Sequence, residues 1–258
     1  MNRAIHFGLI GLAGGLIGAA FGVGGGIVMI PLLSSGGKMN MKEAVPHSLA
    51  GILSVTLSAV FYQFIISAHR PDLRIWLLSA LTAVLGSYAG TEIARRASSR
   101  LLELGFSLFL LIAALRMGSL LPDILPEFTD GLSWTTAAGL GFSAGISAAL
   151  FGIGGGIILV PGFTLLLAIP IHEAVFLSLC VIAVTTSASL LFHRLRSFSP
   201  MLYKDLLSIA AGAVTGSFLG TVFSIRLSAA GLNGLFTVFL FLVWLHFSLN
   251  IFKRRTGS

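Results

Sequence analysis

Long apolar blocks, separated by short clusters of charge, proline or glycine, run the length of the chain. Eight apolar segments stand out, at about 7–34, 43–68, 73–94 and 101–121, and again at about 136–169, 173–193, 203–225 and 229–252. About 20 apolar residues in helical form are needed to cross a hydrocarbon core of about 30 Å. Eight blocks of this kind predict an all-α polytopic membrane protein.

The two sets of four are copies of one another. Phe21-Gly22-Val23-Gly24-Gly25-Gly26-Ile27-Val28-Met29-Ile30-Pro31 returns 130 residues later as Phe151-Gly152-Ile153-Gly154-Gly155-Gly156-Ile157-Ile158-Leu159-Val160-Pro161. Seven of the eleven positions are identical, and the other four exchange one apolar residue for another. The same offset aligns Glu43-Ala44-Val45 with Glu173-Ala174-Val175, Ser48-Leu49 with Ser178-Leu179, Thr56 with Thr186, and Gly86-Ser87 with Gly216-Ser217. An ungapped offset over so long a stretch reads as two copies of one structural unit. The expected organisation is a first unit at 1–120, a linker at 121–135 and a second unit at 136–258, within one integral membrane domain. The linker carries Pro122 and Pro126 with Asp123, Glu127 and Asp130, a surface composition.

Charged residues make up only 10% of the 258 residues, against about 25% in a soluble globular chain. The net charge of +7 does not indicate a nucleic-acid partner. The basic residues lie in short loops and in the tail Lys253-Arg254-Arg255, where they orient the chain in the membrane and meet anionic lipid headgroups. The opening Met1-Asn2-Arg3 and its apolar run resemble a signal peptide, but the internal copy of that run marks it as part of the fold. Cys180 is the single cysteine, so no internal disulfide and no multi-cysteine metal site is expected. No cofactor is expected.

The first segment of each unit can cross the membrane once, broken in the middle, or dip in and return as a re-entrant hairpin with the glycines at its tip. A hairpin places Arg3, Lys38, Lys42, Arg95, Arg96, Arg100, Arg194, Arg196, Lys204, Lys253, Arg254 and Arg255 on one side. That leaves Arg70, Arg74, Arg116 and Arg226 on the other. The positive-inside rule favours this split over the more even one that a single crossing gives. Three full crossings per unit then make the units inverted repeats. Both models put both termini in the cytoplasm, and the expected location is a bacterial inner membrane.

Four glycines within five residues cost about 1 kcal/mol each in a helix interior, so the backbone itself is needed there. A broken helix leaves unpaired N–H groups and a positive dipole end at the start of its second half. Glycine lets a ligand approach them closely, and the ligand that fits is an anion. The expected substrate-binding residues are Gly22, Gly24, Gly25 and Gly26, with Gly152, Gly154, Gly155 and Gly156. Ser48 and Ser178 supply hydroxyl donors to the anion or bond back to a carbonyl one turn earlier. Thr185 and Thr186 add polarity in the second unit. His47, beside Ser48, is a site for proton coupling or a polar residue near the membrane surface. Gly86 with Gly90, and Gly216 with Gly220, have the spacing of helix-packing surfaces. Bulky residues at Gly25 or Gly155 are expected to abolish flux in a folded protein. The spans carry no paired His/Asp/Glu constellation, so no enzyme is expected, and no ATP-binding motif is present.

With these residues in hand, the chain resembles the TauE/SafE family of membrane anion transporters, the sulfite exporter family. The doubled Phe-Gly-x-Gly-Gly-Gly-x-x-x-x-Pro, the Glu-Ala-Val and Ser-Leu after each copy, and the Gly-Ser-x-x-Gly-Thr of each unit carry the resemblance from about Gly8 to Phe252. The family usually has Thr-Ser where this chain has His47-Ser48 and Leu177-Ser178. The resemblance implies a secondary transporter, an exporter or permease, for a small inorganic or organosulfur anion such as sulfite, a sulfonate like sulfoacetate, or thiosulfate. Its partners are that anion and the lipid bilayer; homo-oligomerisation is left open. The residues alone support only a small anion. They leave as alternatives an uncoupled anion channel and a non-transport membrane scaffold.

Overall fold

The computed structural model describes residues 3–35, 39, 41–66, 72–96, 107–108, 111–115, 117–120, 133–196 and 203–256. Every long element among them is an α-helix. The first unit supplies α1 (Arg3–Ala20), α2 (Gly26–Ser35), α3 (Met41–Ile66) and α4 (Leu73–Arg96). The second supplies α5 (Ser133–Phe151), α6 (Gly156–Leu166), α7 (Ile171–Arg196), α8 (Tyr203–Arg226) and α9 (Ala229–Thr256). Residues 121–132 of the expected linker, and most of the expected fourth segment at 101–121, lie outside the described residues. Where that segment is described, Ala113, Ala114 and Met117 are buried in the core.

Six of these helices are long and apolar enough to cross a membrane: α1, α3, α4, α5, α7 and α8. Their outward faces carry large apolar side chains, among them Phe61, Phe64, Leu81 and Leu207, each more than half exposed. A water-soluble protein does not leave apolar surface of that extent uncovered, whereas lipid chains cover it at no cost. The chain is an integral membrane protein.

Both glycine clusters interrupt a helix. The two halves then lie side by side and run in opposite directions. A side chain on Gly18 would meet the Gly25 backbone, and one on Gly14 would meet Met29. In the second unit Gly155 faces Ala144, and Gly162 faces Leu140. Each first segment is therefore a helical hairpin folded at its glycines, in agreement with the hairpin that charge distribution favours. At 10 and 11 residues, α2 and α6 are about 15 Å long, half of a hydrocarbon core.

The hairpins do not pack mainly on their own unit. The first lays α1 along α8, and the second lays α5 along α4. Glycines make both contacts. On α8, Gly212 sits against the Gly8 carbonyl, Gly216 against that of Leu12 and Gly220 against that of Leu16. On α4, Gly86 sits against the Phe142 carbonyl and Gly90 against that of Ile146, 2.7 Å from where a Cβ would stand. Residue numbers rise together along both pairs, so each pair is parallel. The guanidinium of Arg3 meets the buried carboxylate of Asp205 at 2.7 Å and ties the start of α1 to the start of α8.

Candidate functional site

The turn into α2 closes on itself. Val23 N–H and Gly24 N–H both donate to the Gly18 carbonyl, at 2.9 and 3.2 Å, which caps α1. The chain then passes through Gly22, Gly24 and Gly25 at φ of 67°, 78° and 83°. Gly152, Gly154 and Gly155 repeat this at 65°, 86° and 85°. An L-residue pays about 1–2 kcal/mol for such a left-handed conformation, which is why the motif uses glycine at these three positions. The new helix starts with Val28 and Met29 N–H donating to the Gly25 carbonyl, at 3.1 and 3.0 Å. Ile158 and Leu159 do the same to Gly155, at 3.0 and 3.2 Å.

The two turns face each other and pack backbone against backbone. A Cβ on Gly26 would stand 2.6 Å from the Gly152 carbonyl oxygen and 2.9 Å from the Ile153 Cα. One on Gly156 would stand 2.6 Å from the Val23 Cα. Ile52 of α3 and Ile182 of α7 each reach both Gly24 and Gly154, so these two side chains cover the junction. All eight predicted glycines are buried and lie in this one place.

The serines join it from across the unit boundary. Ser178 of α7 donates its hydroxyl to the Gly22 carbonyl at 2.7 Å, and Ser48 of α3 donates to the Gly152 carbonyl at 3.2 Å. Neither expectation for these hydroxyls anticipated that acceptor. Each serine pins the turn of the opposite unit, and its single proton is spent there. The electrostatic consequence favours an anion: the Gly22, Gly25, Gly152 and Gly155 carbonyls each accept a hydrogen bond, while the first-turn N–H groups of Gly26, Ile27, Gly156 and Ile157 have no acceptor among the described residues. Two positive helix ends meet at one buried junction. We expect Ser178→Ala to lower stability by about 1 kcal/mol, since a lost interhelical hydrogen bond in a membrane protein averages about 0.6 kcal/mol and the Gly22 carbonyl is left bare. Thermal unfolding in detergent measures this, and an unchanged midpoint would remove the serine as a pin.

The remaining predicted residues stand further off. Thr186 is one turn beyond Ile182, and its fully buried hydroxyl has no partner. The Thr185 hydroxyl donates to its own helix, to Val181 at 2.9 Å. His47 is buried, with Nδ1 2.8 Å from the Glu43 carbonyl. A carbonyl only accepts, so Nδ1 carries the proton and Nε2 is left as a buried atom without a partner. The Gly25 and Gly155 expectation changes. A Cβ at Gly25 lands on the Gly14 carbonyl, and one at Gly155 stands 2.6 Å from that of Ala144. Those contacts are within each hairpin, so substitution there costs the hairpin itself. Ile52 and Ile182 escaped sequence reasoning because they carry no polar group. Their equivalence at the 130-residue offset was the available signal.

Paired interrupted helices that meet inside a membrane-embedded bundle define the class of membrane transport proteins built on internal repeats. The model of the family described as "Sulfite exporter TauE/SafE" matches residues 7–247, and the chain belongs to that family of membrane transporters. Similar proteins include the "Probable membrane transporter protein YunE" of Bacillus subtilis, 24% identical over 91% of this chain and 93% of its own length. A "Probable membrane transporter protein" of Xylella fastidiosa is 28% identical over 84% of this chain and 85% of its own. The "Probable membrane transporter protein MJ0441" of Methanocaldococcus jannaschii is 27% identical, over 72% and 70%. No solved structure matches the chain.

Proposed function

We propose that this transporter moves a small sulfur-containing anion (sulfite, a sulfonate such as sulfoacetate, or thiosulfate) by alternating access, with the anion held at the paired glycine turns near the membrane midplane. The carrying observation is the junction of α2 and α6: two helix starts, unsatisfied N–H groups on each, and one carbonyl of each turn, Gly152 and Gly22, neutralised by Ser48 and Ser178. N–H groups and helix dipoles hold an anion without a lysine or arginine, so it can also leave.

Helix direction supports inverted units with re-entrant hairpins. From Ile66 to Leu73 the chain reaches at most about 25 Å, less than the ~36 Å length of α4, so α4 must run opposite to α3. With the hairpin reversals and the parallel pairs, α1, α3 and α8 run one way and α4, α5 and α7 the other. Equivalent helices α3 and α7 then oppose each other. Both termini lie in the cytoplasm of a bacterial inner membrane on this reading.

His47 is the coupling residue in the same reading. Its bare Nε2 is a buried proton acceptor next to Ser48, whereas the second unit has Leu177 in its place. Of the helices packed on α3, α2 has no titratable group; α1 carries Arg3 and His6, α7 carries Glu173 and basic residues near its ends, and α8 carries Lys204, Asp205 and Arg226. In proteoliposomes loaded with sulfite, thiosulfate, sulfoacetate, sulfate or chloride, saturable release of one sulfur anion is expected, faster with a pH gradient. His47→Gln should keep saturable release and lose the gradient dependence. Release of none of these anions would remove the sulfur-anion reading, and unsaturable release would favour a channel.

A further inference from the structure

We propose that two largely buried hydroxyl seams, one on either side of the glycine junction, are stations for the anion on its way to and from opposite membrane faces. The inference rests on the transport reading above. The first seam lies between α3 and α8, where the Ser58 and Ser217 hydroxyls bond across the unit boundary at 2.5 Å, with Thr221 one turn beyond Ser217 and Thr56 two residues before Ser58. The second lies between α7 and α4, where Ser189 donates to Ser87 at 3.3 Å, with Thr186 and Thr91 nearby on those helices. The 130-residue offset exchanges the threonines of one seam for those of the other, and Ser87 for Ser217.

Each seam contains one hydroxyl that its surroundings leave bare. Thr56 donates to the Ile52 carbonyl at 3.0 Å, and Thr91 to that of Ser87 at 2.7 Å. Their equivalents, Thr186 and Thr221, are completely buried and have no partner. A helical threonine has a carbonyl one turn back within reach, and an unsatisfied buried hydroxyl is costly. A polar group kept bare in this way, once per seam, suits a ligand that visits. Neutral hydroxyls suit an oxyanion that must not be trapped.

Position along the bundle separates the seams. Both follow the junction residues in sequence, Ile52 in α3 and Ile182 in α7. These helices run in opposite directions, so the seams lie on opposite sides of the junction. The Thr186 seam leads to the face that holds the N-terminus, and the Thr221 seam to the other face.

The test uses Thr186→Cys and Thr221→Cys, each in a Cys180→Ala background, reconstituted in vesicles of known orientation and exposed to a membrane-impermeant maleimide. Thr186→Cys is expected to label from the N-terminal face and Thr221→Cys from the opposite face. Labelling of both from one face, or of neither, overturns the proposal whatever anion is transported. A second arm uses Thr186→Val and Thr221→Val. Each removes a bare hydroxyl, so the melting temperature should not fall. Sulfite flux should fall about tenfold, the loss of one hydrogen bond to a charged ligand. Wild-type flux that both variants retain overturns the seams and leaves the junction reading standing. Absence of sulfite flux in the wild type counts against sulfite as the cargo, and the labelling arm still decides the seams.

Discussion

Gly26→Ala and Gly156→Ala are expected to reduce anion flux about tenfold or more while each hairpin remains folded. Neither glycine has a positive φ, so alanine introduces no backbone strain. The new methyl group points across the junction instead. From Gly26 it would stand 2.6 Å from the Gly152 carbonyl oxygen, and from Gly156 it would stand 2.6 Å from the Val23 Cα. Backbone cannot rotate out of the way as a side chain can, so the two turns must separate. Overpacking of this kind costs about 1–3 kcal/mol. A hydrogen bond to a charged group contributes about 1.5–3 kcal/mol, and each donor moved out of reach weakens binding about tenfold or more. Flux in proteoliposomes and thermal unfolding in detergent check the two parts separately. Wild-type flux in both variants would remove the junction as the anion site. Gly139→Ala is the control: a Cβ there meets nothing within 4 Å, and the better helix former should leave stability unchanged or raise it by up to about 1 kcal/mol.

Gly216→Leu and Gly86→Leu are expected to be strongly destabilising, by about 3 kcal/mol each. Both glycines let one helix backbone lie against another, Gly216 on the Leu12 carbonyl and Gly86 on that of Phe142. Helices in a membrane gain no hydrophobic effect from meeting, so close van der Waals contact across small residues is what holds such pairs. A leucine pushes the axes apart along the whole contact and loses it. The measured quantity is the unfolding midpoint of the purified protein, with Gly234→Ala as a neutral partner, since its surroundings are open. An unchanged midpoint in Gly216→Leu would show that α1 does not depend on α8. Because α1 belongs to the first unit and α8 to the second, the same experiment tests whether the units fold as an exchanged pair.

Much of this was legible in the chain. The ends of α3, α4, α7 and α8 lie within a few residues of the apolar segments, because lipid demands an uninterrupted apolar helix of a set length and composition reveals it directly. The breaks were legible because three successive glycines have no use in a continuous helix. The doubling back followed from the positive charges, which stay on one side of a membrane regardless of packing. The exchanged hairpins were not legible. Gly86 and Gly216 declared a packing surface, but a small-residue surface fits any helix of matching curvature and does not name its partner. The acceptors of Ser48 and Ser178 were hidden for a related reason: a helical serine has a carbonyl of its own within reach, and only the arrival of the opposite turn redirects its proton. Thr56 and Thr186 are the same residue at equivalent positions, yet one hydroxyl is bonded and the other is bare. The sequence by itself determined which elements exist and where the backbone is broken, since these depend on local polarity and on glycine's freedom. Only the tertiary structure decided which broken ends meet and which polar groups are left unbonded, since those depend on atoms 104 and 156 residues apart in the chain.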